Sequence, residues 1–443
     1  MRIVTVIYFL IVFIFISPFF IRYFGLPYIK ELYVNAFLFG LFFYSLLMGP
    51  FLGQSRVQSN KVLSKYKIMF FALFILVVFS SLFNYTHWFV MIKAIIENYF
   101  PYLVLFLIIT STKLSKKEEE KLIKLCYILI ILQIPVVLIQ YIYGDYSTAD
   151  SMSGTISSKE LGGTGINGVL GAFLFSVCMS RIAITKITPG FLVLGLLAFV
   201  PSIFGGSRFG IILMIVVVVV LIISLIWVGD GQGVKGIARS ATIIFIFTAV
   251  VYGAFVYLVP KYRFAEFINF DSLTQQQEIL EYDIDPGSQR IVGYKILNKF
   301  IFKNWVDVLF GLGSGATTGS MEFGIKANKT FLFYFPLGAP DGVFFMLTIG
   351  AIGLMLVIII LFYGIVWVKK YLQIETCPFM RMNGYAFTSM TIACLVSIPY
   401  THVWSSQIGL TYWVLAGVLV NRYGEVALIS TGSSTGNKNY HEL

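Results

Sequence analysis

Two arginines, Arg208 and Arg290, stand where bulk composition does not explain them. Arg208 lies in Phe204-Gly205-Gly206-Ser207-Arg208-Phe209-Gly210, between two apolar runs. A charge so flanked costs at least a few kcal/mol at a bilayer centre, so it belongs at an interface or against a polar cavity. It reads either as a snorkelling interfacial anchor or as an anion ligand beside a Gly-Gly-Ser turn. Arg290 follows Asp285-Pro286-Gly287-Ser288-Gln289, where Pro-Gly marks a turn and Ser288 is placed to cap a helix over 289–302. An arginine in a helix's first turn opposes the macrodipole. It becomes intelligible if backbone N–H groups and the guanidinium converge there on one anion. Two guanidiniums on the same side of a membrane suit a membrane-bound diphosphate.

Other residues on that side carry open readings. Asp341, in Pro340-Asp341-Gly342, heads an apolar run. It is either a helix cap or a general base or hydroxyl orienter in an outer cavity. His402, in Tyr400-Thr401-His402-Val403-Trp404, is either part of an aromatic belt or a substrate contact. The glycine-rich stretch 310–319 is no nucleotide loop, because no Gly-Lys-Ser/Thr closes it. Its glycines either let the backbone fold back onto the membrane or form a nest for a phosphate or sugar, with Gly313 and Gly315 as ligands. Arg263, in the amphipathic stretch 261–267, and Ser288 complete the substrate-binding candidates. His87, His402 and His441 are scattered, Cys126, Cys178, Cys377 and Cys394 show no CxxC spacing, and Asp283-Ile284-Asp285 has no histidine or further carboxylate cluster nearby. No metal or other cofactor is expected, and the cysteines read as small core residues.

The elements that must position these residues are membrane helices. Of the 443 residues, 58% are hydrophobic and 12% charged, against about 25% charged in soluble domains, which excludes a soluble globule. About 20 apolar residues span a bilayer, and the runs give twelve spans: 3–24, 31–53, 67–83, 94–111, 122–143, 166–184, 188–204, 209–228, 240–259, 341–367, 384–400 and 403–420. The chain divides into 1–259 with nine spans, a large outer loop 260–340 that contains helices, 341–420 with three more spans, and a tail 421–443. With both ends inside, most of the 32 Lys and Arg residues fall in inner segments, including Lys61, Lys65, Lys116, Lys117, Lys121, Lys124, Lys235, Arg239, Lys369, Lys370 and Arg422. The net charge of +11 is therefore mostly a topology signal, and nucleic acid is not a partner. The charge-dense stretch 116–121 reads as a solvated helix start, and 430–438 as a disordered cytoplasmic tail.

Taken in order, Gly206-Ser207-Arg208, Asp285…Ser288…Arg290, Gly311–Gly315, Asp341-Gly342 and Gly350–Gly353 resemble the motifs of the O-antigen polymerase and O-antigen ligase superfamily, over 200–365. The resemblance implies an all-α, GT-C-like membrane glycosyltransferase of the bacterial inner membrane. It implies cytoplasmic termini and an active site at the periplasmic face. It implies undecaprenyl-diphosphate-linked oligosaccharides as substrates, the bilayer and a chain-length regulator as partners, and Arg208 and Arg290 as the diphosphate ligands. The ligase branch has histidine followed by Asn at the position of Asp341, so Asp-Gly points to the polymerase branch. A flippase, the rival from another class, is built from two related halves with short loops. Here one long outer segment interrupts the chain.

Overall fold

The computed structural model describes residues 3–24, 40, 61–143, 163–185, 188–204, 208–258, 289–317 and 340–436. Every regular element among these is helical, as a chain must be where no water satisfies the backbone. In chain order they are α1 (Ile3–Phe24), α2 (Lys61–Phe83), α3 (Trp88–Ala94) running on into a π-helical turn (Ile95–Tyr99), α4 (Pro101–Ser111), α5 (Lys116–Ile131) and α6 (Gln133–Tyr143). There follow α7 (Gly163–Ile184), α8 (Pro189–Leu197), α9 (Val200–Phe204), α10 (Arg208–Val228) and α11 (Gly231–Leu258). The last group is α12 (Gln289–Ile296) with a π-helical turn (Leu297–Ile301), α13 (Trp305–Phe310), α14 (Asp341–Ile374), α15 (Pro378–Ser397) and α16 (Gln407–Gly436).

Each predicted span overlaps helical structure; of 31–53 only residue 40 is described. Five helices among the described residues are long and apolar enough to cross a membrane: Lys61–Phe83, Lys116–Gln140, Gly165–Ile184, Phe209–Val228 and Asp341–Ile374. Trp88–Tyr99 and Pro101–Ser111, bent by 64°, would together make a sixth. The bend has a local cause. Pro101 has no N–H to continue the ladder, and the π-helical turn before it absorbs the change in direction. The β-branched run Val216–Val220 is helical within α10, as expected in lipid.

Two expectations are corrected. The stretch 116–121 is not simply a solvated face, because Glu119 is fully buried. The helix starts at Lys116, six residues before the apolar run, with Ser115 and Glu118 forming a capping box. That start places Glu119 on the face it shares with the buried Leu122, Ile123 and Cys126, three, four and seven residues on. The tail expected to be disordered from Ser430 is helical through Gly436, because α16, once nucleated by its packed apolar half, propagates at little cost.

Helix α7 forms the centre: 83% of its apolar stretch is buried, against 33% for α2 and α10. Close approach is made by small residues, since a Cβ on Gly210 of α10 would lie 2.7 Å from Gly168 Cα of α7. On the periphery, Ile68, Phe71, Ile75 and Leu82 of α2 and Ile212, Ile215, Val219 and Ile226 of α10 face away from the protein. Such a surface is stable against lipid, not against water. The long helices α2 and α14 run side by side: Tyr66 accepts from Trp367 Nε1 at 3.0 Å near one end, and Ser80 Oγ donates to Thr348 O at 2.8 Å near the other. Basic side chains mark the first of these ends, with Lys65 over Tyr363, Lys124 over Phe379 and Lys369 over Trp227, at 5.1 to 5.6 Å. Asp341 lies at the opposite end. The cysteines are free; Cys126, Cys178 and Cys394 are buried.

Candidate active site at the Asp341 end

The site begins with a break in a helix. Gly350 of α14 adopts φ +70, ψ −173 inside an otherwise helical run, a left-handed conformation that only glycine takes cheaply. The break leaves Leu347 and Thr348 carbonyls without helical partners. The glycine-rich loop supplies them: Leu312 N donates to Leu347 O at 2.7 Å and Gly313 N to Thr348 O at 3.0 Å. Ser80 Oγ lies 2.7 Å from Phe310 O as well, Ser81 and Ser314 hydroxyls meet at 2.9 Å, and Asn84 Nδ2 donates to Gly311 O at 3.1 Å. A Cβ on Gly350 would collide with the Leu309 carbonyl, and one on Gly311 would come within 2.6 Å of the α14 backbone. The loop therefore serves as a splice that joins α2 to the broken α14.

Above the break, α14 begins at Asp341, which is 2% exposed. It does not cap its own helix, the simpler of the two sequence readings; the N-cap position is Pro340. Instead Oδ2 accepts from the backbone N–H groups of Val403 and Trp404 at 2.6 and 2.5 Å, and Oδ1 lies 3.3 Å from His402 Nδ1. The segment 401–406 that carries these donors is itself held. Asp341 N donates to Thr401 O, Gly342 N to Ile398 O, Ser406 Oγ to His402 O at 2.6 Å, and Trp404 Nε1 to Tyr99 O at 2.7 Å. His402 is 40% exposed at its side chain. A buried carboxylate with two fixed donors on one oxygen and an imidazole on the other orients that partly exposed imidazole and leaves its other nitrogen free of the carboxylate.

A third side chain comes from the long loop. Tyr294 of α12 packs its hydroxyl over Gly342, where any Cβ would collide with it. Burial pushes this phenol up to about 12, and the Asp341 carboxylate adds to the shift, so it is a neutral hydrogen-bond donor at ordinary pH. Ile296, Leu297 and Ile301 seat the same helix on Val343 and Leu347 of α14.

The other predicted residues fall as follows. Arg290 is the second residue of α12, one helical turn before Tyr294. Arg208 is the first residue of α10, and Phe209 beside it stacks on Tyr400, ring centres 4.1 Å apart. Each arginine thus opens a helix that reaches a neighbour of the pair: Phe209 stacks on Tyr400, two residues before His402, and Tyr294 meets Gly342, next to Asp341. Arg263, Ser288, Asp283 and Asp285 lie outside the described residues. The nest reading of Gly313 and Gly315 is corrected, because their N–H groups already bond Thr348 O and Thr86 Oγ1. Among the described residues no group of three or more His, Cys, Asp or Glu side chains is placed to hold a metal ion. Tyr294 and the His402–Asp341 contact were not singled out from sequence. The spacing Arg290 to Tyr294, one helical turn, could have flagged the first. No local signal reaches across the 61 residues of the second.

The chain matches no protein-family model and no curated protein.

Proposed function

We propose that the chain is a membrane glycosyltransferase that polymerises a polysaccharide from repeat units carried on a polyprenyl diphosphate, as the resemblance to O-antigen polymerases implies. The observation that carries the reading is the Asp341–His402 pair, with Tyr294 of the helix that Arg290 opens at the adjoining Gly342 and Phe209 of the helix that Arg208 opens stacked on Tyr400. A diphosphate-linked sugar is already activated. The protein needs to hold donor and acceptor in line, remove one proton and neutralise the departing diphosphate. In this scheme His402 takes the proton of the acceptor hydroxyl, the base role that was one of the two sequence readings of Asp341. Asp341 holds the imidazole in the required tautomer and stabilises its charge. The anomeric carbon–oxygen bond to the diphosphate breaks as the new glycosidic bond forms, and Arg208 and Arg290 receive the charge that leaves. Tyr294, a neutral phenol, donates to a sugar oxygen.

The basic end of the bundle fits the cytoplasmic side and the Asp341 end the periplasmic side of a bacterial inner membrane, with both termini cytoplasmic. A chain-length regulator is the partner this activity calls for. The Asp341-Gly342 sequence favours polymerase over ligase, and the single long interruption at 260–340 favours both over a flippase. The test is purified protein incubated with a defined undecaprenyl-diphosphate repeat unit. A glycan ladder that collapses in His402→Ala at equal protein level is the expected result; a ladder unchanged by that substitution refutes the scheme.

A further inference from the structure

A concave site lies on the same stretch of chain as Tyr294. Between the turn that follows α2 and the segment 301–316 there is a cleft of about 600 Å³, within the usual range of small-molecule sites. Helix α12 and its π-helical continuation link the two: Tyr294 stands at Gly342 and Ile301 in the cleft wall. Seven residues at 1.5 Å each separate them by about 10 Å. The polar wall is set by backbone contacts that leave a defined remainder. Asn84 Nδ2 is used by Ser80 O and Gly311 O, so its carbonyl oxygen remains as an acceptor. Thr86 Oγ1 accepts from Gly315 N and keeps its O–H. Asn304 Oδ1 caps Asp307 N and leaves its amide N–H groups, while Asp307 Oδ2 takes Lys303 N and leaves the other oxygen. The remainder interleaves donors and acceptors, and the one carboxylate is balanced by the one ammonium of Lys303. A diphosphate would find no net positive charge here, unlike at the arginines.

At the cleft's lip stands Tyr85. Helix α2 ends in a Schellman motif, with Thr86 N bonded to Ser81 O at 2.8 Å and Tyr85 N to Leu82 O at 3.0 Å. The residue at that position is normally glycine, because it must be left-handed. Here it is a tyrosine at φ +52 with 96% of its surface exposed. No packing accounts for the ring. An aromatic face held at the edge of a charge-balanced polar cleft matches the C–H face and the ring of hydroxyls of a sugar.

We propose that this cleft binds one or more uncharged sugar residues of the glycan chain, with Tyr85 as the stacking platform, and holds the chain while the Asp341–His402 pair acts on its end. The choice of a glycan as ligand rests on the glycosyltransferase reading. The experiment is direct binding, independent of turnover: full-length protein in nanodiscs titrated with lipid-free oligosaccharides of one to six repeats, released by mild acid from the source's own surface polysaccharide. Wild type and Asp341→Asn should bind saturably and alike. Tyr85→Phe keeps the platform and should bind within about threefold of wild type. Tyr85→Gly restores the residue the turn prefers, so its thermal midpoint should hold or rise while its affinity falls at least about tenfold. Wild-type affinity in Tyr85→Gly, or no saturable binding by wild type, overturns the proposal. An Asp341→Asn protein that binds and still polymerises at full rate would instead sink the assignment of the reaction site and leave the cleft's role standing.

Discussion

Replacing Asp341 separates its two roles. Asp341→Ala leaves the Val403 and Trp404 N–H groups without an acceptor in a site that is 2% exposed. At about 1–3 kcal/mol per buried unpaired donor, the loss is about 2–6 kcal/mol, enough to disorder the segment carrying His402. Asp341→Asn is the informative change. Its amide oxygen can keep both backbone donors, so the fold should cost only about 1 kcal/mol, reflecting a neutral rather than an ionic acceptor. Its amide nitrogen would then face His402 Nδ1 at the position of Oδ1 and donate to it. That forces the imidazole proton onto Nε2, the nitrogen needed as base. Removing a general base typically costs about a hundred- to ten-thousand-fold in rate, equivalent to about 2.7–5.4 kcal/mol of barrier. The assay is turnover of the defined lipid-linked repeat unit under saturating substrate, alongside a thermal melt in the same detergent. Asp341→Asn should melt near wild type and be inactive within that range. A rate within threefold of wild type would refute the pairing as the source of the base, whatever the melt shows.

Arg208→Lys and Arg290→Lys should each insert normally and lose most polymerising activity, because an ammonium cannot reproduce bidentate contact with phosphate oxygens; ladders at equal membrane abundance check this. Gly350→Ala forces a left-handed alanine against the Leu309 carbonyl and should destabilise by more than about 1–2 kcal/mol in a thermal melt. Gly190→Ala, with no atom near the added methyl, should be neutral or slightly stabilising. At the basic end, Arg422 Nε holds the buried Glu375 at 3.0 Å. Arg422→Ala removes the ionic partner while Tyr371 Oη and Cys377 N still donate to that carboxylate, so it should destabilise by less than the about 3–5 kcal/mol of an uncompensated buried charge. Glu119, whose two oxygens are buried and unpartnered, should tolerate Glu119→Gln with an unchanged or higher melting temperature.

The helices themselves were legible in the chain. Apolar runs of span length and the helix that begins at Gln289 carry their structural meaning within a few residues; the bend before Pro101, inside the single run 94–111, was not read from it. The sign of the charges, gathered in Lys65, Lys124 and Lys369, marked one end of the bundle before any packing was known. Individual residues at special positions were read less well. Asp341 at a helix start looks like a cap, because the local backbone is all the sequence exposes; its true partners, Val403 and Trp404, lie 62 and 63 residues away. Glu119 looked solvated because a capping box, not the apolar run, decided where its helix begins.

The sequence by itself therefore determined that this is a helical membrane protein, with two arginines that open helices. Backbone satisfaction in lipid and the cost of an unpaired charge act locally and leave their mark in residue type. Only the tertiary structure decided that the glycine-rich loop closes a broken helix, that Asp341 orients His402, and that Tyr85 stands beside a polar cleft. Those outcomes depend on which segment fills the hydrogen bonds that another leaves open, and complementarity between distant segments has no period in the chain.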